Sequence, residues 1–271
     1  MQESELSNKW ERGNGGAYLK DYPDESIYLE MPLVRIASRM IEMAAEGIPI
    51  TKTGNPKLQV LKEWYPLGPK DWYIERHPEK QIRMDTCSTL AMIWDLFHDV
   101  GLFRKYKDTV RLSRKGKAVL GHPRRIAHHL LIALQTEADT AILDGYDFDG
   151  FNDSLESVGE MLYSFGEEFQ PASFYAEKYA TADPAFDYYY NLPYEGMRAS
   201  LIKCFEIRVM VRFFNWFGLV EEQKSYFDKD KQVVIPARYR TTPLFKKLIA
   251  IDSQESKVTY PLYYLKSKYV N

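Results

Sequence analysis

The stretch that decides the fold is VRLSRKGKAVL, residues 110–120, in which a strand-like pattern meets a serine, a basic pair and a short helical pattern. Nearly the same figure returns as RTTPLFKKLI at 240–249, and a shorter version, ITKTGN, stands at 50–55. A hydroxyl residue directly before a helix favours capping, because its oxygen accepts a hydrogen bond from a free N–H of the first turn. We therefore predict that Ser113 and Thr242 each begin a helix that follows a β-strand.

The segments before the two hydroxyl residues repeat as well. A helical pattern of apolar residues ends in Gly-Leu in both places, at Gly101 and at Gly218. A β-hairpin pattern follows each glycine, and we call these the first hairpin (102–112) and the second hairpin (219–239). The segment from the glycine to the hydroxyl residue is twelve residues longer in the second copy, since the glycines lie 117 residues apart and the hydroxyl residues 129. Helix, hairpin, capping hydroxyl and helix is the order expected at the end of a winged-helix unit.

The stretches ITKTGNPKLQVL (50–61) and DVGLFRKYKDTVRLSRKGKAVL (99–120) together resemble a bacterial family of uncharacterised winged-helix-like proteins. Its members share a Thr-Lys-Thr-Gly-Asn stretch, then Gly-Leu, a hairpin and Leu-Thr/Ser-x-x-Gly. The resemblance covers about residues 31–121. It implies a fold, and it brings neither an activity nor catalytic residues to this chain.

The repeat divides the chain into four segments. Further helical patterns precede the first hairpin, and the stretch between the two copies is helical, with fourteen acidic residues against the single Lys178 over 135–195. We predict a mainly α fold with small β-hairpins, of the α+β class, in which two winged-helix-like units are joined by an acidic helical segment. The predicted segments are an N-terminal arm at 1–30, a first unit at 31–121, an acidic helical connector at 122–194 and a second unit at 195–271.

The bulk composition is that of an ordinary globular protein, with 271 residues, 45% hydrophobic residues and a net charge of −2. The sequence has no apolar run of membrane-spanning length, and its N-terminus lacks the pattern of a signal peptide. Cys87 and Cys204 fit neither a disulfide framework nor a zinc pattern. We expect a cytoplasmic protein with reduced thiols and no membrane partner.

The small net charge conceals a strong asymmetry, because residues 103–129 carry nine Lys or Arg against one Asp. Such a cluster can hold a phosphate backbone without reading sequence. It can equally dock on acidic surface of the same chain or of a dimer mate. In the second copy, the helical pattern over 195–217 places basic residues on a face that could point outward or pack on the acidic connector. The candidate nucleic-acid-binding residues are Lys203, Arg208, Arg212, Arg104, Lys105, Arg111, Arg114, Lys115, Lys117, Arg124 and Arg125.

Three functional interpretations stay open. We interpret the chain first as a non-enzymatic protein-interaction module, with a protein partner or self-association. The alternative is a nucleic-acid-binding transcriptional regulator, although the helix before the first hairpin is apolar nearly all round and its charges are Asp95 and Asp99. An enzyme with an unrecognised site is the second alternative. No catalytic residue, metal site or cofactor is predicted.

Overall fold

A computed structural model describes residues 16–77, 82–136, 145–146, 151 and 155–252. The architecture combines helices with small antiparallel sheets, as predicted for an α+β protein. The α-helices are α1 (Pro32–Glu46), α2 (Leu58–Trp64), α3 (Trp72–Arg76), α4 (Ser88–Asp99), α5 (Arg114–Lys117), α6 (Pro123–Thr136), α7 (Leu155–Phe165), α8 (Ala172–Ala182), α9 (Pro184–Tyr190), α10 (Glu195–Phe205) and α11 (Pro243–Leu248).

The strands are β1 (Gly16–Leu19), β2 (Ile48–Pro49), β3 (Phe103–Tyr106), β4 (Thr109–Leu112), β5 (Gln170–Pro171), β6 (Val220–Gln223), β7 (Tyr226–Asp228), β8 (Val233–Ile235), β9 (Arg238–Thr241) and β10 (Ile249–Asp252). They form sheets with the orders β1-β10, β2-β4-β3, β5-β9-β6 and β7-β8, and every pairing is antiparallel. The first hairpin is thus β3 and β4, as predicted. The second hairpin is divided into an inner part, β6 with β9, and an outer part, β7 with β8.

Both helices that precede the hairpins end in the same way. Gly101 and Gly218 adopt the left-handed backbone conformation, with φ of 73° and 70°, which suits glycine because it has no Cβ. The leucine after each glycine folds back on the last turn, since the Leu102 N–H bonds the Phe97 carbonyl at 2.9 Å and the Leu219 N–H bonds the Phe214 carbonyl at 2.8 Å. The pattern Gly-Leu therefore turns each chain from helix into hairpin.

The two capping hydroxyls also repeat, as the sequence predicts. The Ser113 hydroxyl donates to the Gly101 carbonyl at 2.7 Å and accepts from the Gly116 N–H at 3.0 Å. The Thr242 hydroxyl donates to the Gly218 carbonyl at 2.7 Å and accepts from the Phe245 N–H at 3.2 Å. Each hydroxyl thus links the end of the helix before the hairpin to the start of the helix after it. These bonds hold the two ends of the hairpin close together.

Removing either hydroxyl is expected to destabilise the protein. Ser113→Ala leaves the Gly101 carbonyl and the Gly116 N–H without their partner, and we expect a loss of about 1–2 kcal/mol, as for other N-caps. Ser113→Thr is the control, because Thr242 makes the same pair of bonds. Chemical denaturation measures the difference, and equal stability of the alanine and threonine variants would contradict this role.

Two very short strands complete the two three-stranded sheets. Ile48 of β2 lies opposite Val110, and Gln170 of β5 lies opposite Tyr239. Val110 and Tyr239 each stand three residues before the capping hydroxyl, so the two pairings occupy equivalent places. Strand β5, from the segment predicted as a connector at 122–194, thus belongs to the same sheet as strands of the second hairpin.

The N-terminal segment is built into the fold from residue 16 onward. Strand β1 pairs with β10, so the two ends of the described chain share a sheet. A 3-10 helix follows at Glu25–Glu30, and its Tyr28 is fully buried. The prediction of an arm at 1–30 is therefore wrong for 16–30, and residues 1–15 lie outside the described chain.

The long helix predicted at 195–217 changes type halfway. Helix α10 ends at Phe205, and Glu206–Asn215 continue as a π-helix. The i→i+5 hydrogen bonds of a π-helix change the angular spacing of side chains relative to an α-helix. Faces assigned from α-helical spacing therefore do not hold for Arg208 and Arg212. Among all described residues, no helix has the length and apolar character needed to span a bilayer.

Candidate nucleic-acid interface

The outer face of the first hairpin is basic and aromatic. Arg104 lies directly opposite Arg111 across the two strands, and both side chains are exposed. Like charges in this position repel each other, which disfavours the pair unless an anion lies between or above them. The Arg111 guanidinium also lies 5.3 Å from the ring centre of Tyr106, whose surface is 51% exposed. The face combines two cations with one accessible aromatic ring.

Further exposed cations lie at the hairpin turn, on α5 and at Arg125 of α6. The Lys115 ammonium donates to the Val100 carbonyl at 3.0 Å, and the Arg125 guanidinium donates to the Ala118 carbonyl at 3.0 Å. Such bonds orient the side chains without neutralising their charge. We define the basic surface by its eight exposed cations: Arg104, Lys105, Lys107, Arg111, Arg114, Lys115, Lys117 and Arg125.

No carboxylate of the described chain lies within 4.0 Å of a cationic nitrogen of the basic surface. Some cations elsewhere are paired, for example Arg39 with Glu63 at 2.5 Å and Lys247 with Glu30 at 2.7 Å, whereas others, such as Lys62 and Lys229, have no such ion pair in the described chain. The positive charge of the basic surface also affects a nearby histidine. Burial lowers the pKa of His129, and the nearby Lys115 and Arg125 lower it further. Where the structure is described, the acidic segment therefore does not neutralise the first hairpin.

Arg124 differs from the other candidates near the first hairpin. Its guanidinium pairs with Asp21 at 2.9 Å, and its backbone N–H donates to Glu25 at 3.1 Å. These bonds tie the start of α6 to the N-terminal segment. Arg124 therefore helps to hold the N-terminal segment against α6.

Two exposed cations at or beside the tip of the first hairpin are not among the candidate residues predicted from the sequence. Lys107 occupies the hairpin turn, with φ of 53°, and was outside the predicted set. The turn at 51–55 lies beside it, because the Ile50 N–H donates to the Asp108 carbonyl at 3.0 Å, and this turn exposes Lys52. The ITKTGN stretch, which repeats part of the decisive figure, thus forms the neighbour of the hairpin tip.

The candidates of the second copy are placed differently. Arg208 is only 7% exposed and donates to the Tyr146 carbonyl at 2.6 Å, so of the two placements left open by the sequence the outward one does not hold for this residue. Arg212 is half-buried and lines the same small cavity as Arg208. Lys203 is exposed, but it pairs with Glu206 at 2.6 Å. Arg208 is thus buried and Arg212 half-buried, whereas Lys203 is exposed and paired.

Helix α4, which precedes the first hairpin, belongs to the core as its sequence predicts. Its apolar side chains are buried, and Asp95 and Asp99 are its exposed charges. Burial also raises the pKa of the Cys87 thiol, just before α4, to about 11, so this thiol stays protonated at neutral pH. Within the described ranges, no three His, Cys, Asp or Glu side chains gather as a metal site would require.

The three groups of candidates therefore do not form one face. The basic surface of the first hairpin is exposed, Arg124 is tied to the N-terminal segment, and in the second copy Arg208 is buried while Lys203 is exposed and paired with Glu206. No protein-family model matches the chain, and comparisons with curated proteins and with solved structures found no match either.

Proposed function

We propose that this protein binds the phosphate backbone of nucleic acid through the basic surface of its first hairpin. The observation that supports the proposal is the set of eight exposed cations with no carboxylate partner in the described chain. Phosphate contacts of this kind supply most of the affinity of sequence-independent binding. A phosphate that bridges Arg104 and Arg111 would remove the repulsion between them.

We further propose that the chain contains two winged-helix-like units, as in the family that it resembles. The repeated glycine turn, hairpin, capping hydroxyl and short added strand support this interpretation. In winged-helix proteins that read DNA, the helix before the hairpin enters the major groove. Because α4 is buried and its exposed charges are acidic, we expect the first hairpin to bind without selecting a sequence.

Protein interaction is the second candidate function, and one observation favours it. The outer part of the second hairpin exposes four apolar side chains, at 45–68% of their surface: Tyr226, Phe227, Val233 and Val234. The two functions do not compete, because the basic surface and these side chains belong to different hairpins. The first hairpin of the same scaffold is short and basic, and the second is longer and apolar at its outer end.

Fluorescence anisotropy with a labelled random duplex DNA tests the proposal at about 50 and 200 mM salt, where phosphate contacts lose most affinity. We expect affinity to fall steeply with salt. Arg104→Gln/Arg111→Gln should weaken binding to every sequence alike and reduce the slope of log affinity against log salt by about two.

Lys246→Gln/Lys247→Gln is the matched control, because it removes the same net charge from cations that are paired with Glu167 and Glu30. This variant should bind as the wild type does. Absence of binding at the lower salt would overturn the proposal. An equal loss in both variants would also overturn it, since it would show a general charge effect.

A further inference from the structure

The outer part of the second hairpin extends as an arm, which we define as residues 224–235. Its two strands, β7 and β8, pair only with each other among the described residues. Phe227 lies opposite Val234 on one face of the arm, and Tyr226 lies opposite Ile235 on the other. Both faces therefore carry apolar side chains, and Val234 is 68% exposed.

Such an arm is poorly suited to stand alone in water. A two-stranded hairpin is marginally stable by itself, and its free backbone edges invite another chain. Exposed apolar side chains grouped in this way mark interaction surfaces. We therefore expect another protein surface to pack against the arm.

A second exposed apolar surface lies between α9 and α10. We call it the tyrosine patch and define it by Tyr188, Tyr189, Tyr194 and Met197, which are 40–65% exposed. Its base is fixed, because Tyr190 stacks on the buried Phe186 with ring centres 5.8 Å apart. The patch is thus a firm aromatic platform, whereas the arm is a projection.

The arm and the patch match in charge. The arm carries Lys224, Lys229 and Lys231 against Asp228 and Asp230, so its net charge is positive. The stretch 183–198 around the patch carries Asp183, Asp187 and Glu195 against Arg198, so its net charge is negative. Opposite charge on two surfaces steers them together and disfavours arm on arm or patch on patch.

The two surfaces together also have the area of a stable interface. At about 200 Å² for a whole aromatic side chain, their eight exposed side chains present roughly 700–800 Å² in one copy. A standard interface takes about 800 Å² from each partner. Neither surface reaches this area alone, and because the arm carries apolar side chains on both faces, a two-fold exchange reaches it only where the partner copy covers both faces of the arm.

We infer that the protein forms a two-fold dimer in which the arm of each copy packs on the tyrosine patch of the other. The occupant of both surfaces is a second copy of this chain, because one chain carries the two complementary surfaces. The inference rests on the second hairpin and does not depend on nucleic-acid binding. It adds a second basic surface to any assembly that binds a polyanion.

Sedimentation velocity of the full chain tests the inference first, at concentrations from about 1 to 100 µM, a range that spans ordinary dimer affinities. We expect the mass to rise to twice the 31.7 kDa of one chain. Phe227→Ser/Val234→Ser in the arm, and separately Tyr188→Ser/Tyr194→Ser in the patch, should each remain monomeric where the wild type is dimeric. A monomeric wild type at every concentration would overturn the inference.

Leu120→Ser/Tyr163→Ser is the matched control, because both residues are exposed apolar side chains outside the two surfaces. It should stay dimeric, and far-ultraviolet circular dichroism should show that all variants remain folded. A dimer that survives both the arm and the patch substitutions would show that other surfaces associate, which would also overturn the inference.

Mixing the arm variant with the patch variant gives the decisive result. The mixed dimer retains one intact contact, between the arm of one variant and the patch of the other, whereas each variant alone retains none. We expect dimer to reappear on mixing, more weakly than in the wild type. Failure to restore dimer would overturn arm-on-patch exchange, since arm-on-arm or patch-on-patch contacts cannot be complemented in this way.

Discussion

Asp71→Ala is expected to lower the free energy of unfolding by roughly 3–5 kcal/mol, as three hydrogen bonds to a charged group are lost together. Asp71 is only 8% exposed and serves two helices. One carboxylate oxygen accepts from the Tyr73 N–H at 2.9 Å, which caps α3. The other accepts from the N–H of Ser88 at 3.1 Å and from its hydroxyl at 2.8 Å, at the start of α4.

The alanine variant leaves three donors without their partner in a largely buried place, and the penalty for such donors exceeds the net value of the bonds. Asp71→Asn should give an intermediate loss, because the amide keeps one oxygen acceptor and loses the charge. Asp24→Ala is the control, since Asp24 caps an exposed turn through one residue alone, Ser26, whose N–H lies 2.9 Å from the carboxylate. Chemical denaturation followed by circular dichroism compares the variants. Equal losses for Asp71→Ala and Asp24→Ala would contradict the account.

Sequence patterns predicted the helix ends and helix caps of this fold well, because each of these features depends on neighbouring residues. A glycine after an apolar helix predicts a left-handed turn, and a hydroxyl before a helix predicts a cap, and both predictions are confirmed at Gly101, Gly218, Ser113 and Thr242. The role of Asp71 was not predicted. Its partner Ser88 lies seventeen residues away, and no spacing rule joins the two.

The short strands escaped prediction for a related reason. Two-residue strands such as β2 and β5 have no alternating pattern, and they are defined only by the distant strand that they meet. The segment predicted to begin at 195 therefore leaves out the short strand Gln170–Pro171, which pairs with a strand of the second hairpin. The pairing of β1 with β10 depends on still more distant residues.

The exposure of charged side chains likewise depends on distant partners that sequence patterns do not identify. The sequence left open whether Arg208 points outward or packs inside, because its partner is the backbone carbonyl of Tyr146, and every residue carries such a carbonyl. The sequence left open whether the cations of the first hairpin were neutralised by the acidic segment. That question depends on which surfaces meet, so only the tertiary structure could show Arg104 and Arg111 exposed.

Gly116→Ala is expected to cost about 3 kcal/mol, at the upper end of the usual penalty for overpacking. A Cβ on Gly116 would lie 2.3 Å from the carbonyl oxygen of Leu102 and 3.1 Å from a methyl group of Leu112. The Leu102 carbonyl cannot move freely, because it accepts the Ser113 N–H at 2.9 Å. The clash therefore falls on backbone that joins the two ends of the first hairpin.

Gly196→Ala is the matched control for this change. Gly196 lies in the first turn of α10 with nothing within 4 Å of the added Cβ, so alanine should stabilise the protein by up to about 1 kcal/mol through its better helix propensity. The two Gly→Ala variants should thus move the denaturation midpoint in opposite directions. A midpoint for Gly116→Ala at or above that of the wild type would show that the close packing of Gly116 against the Leu102 carbonyl does not constrain the backbone at the end of the first hairpin.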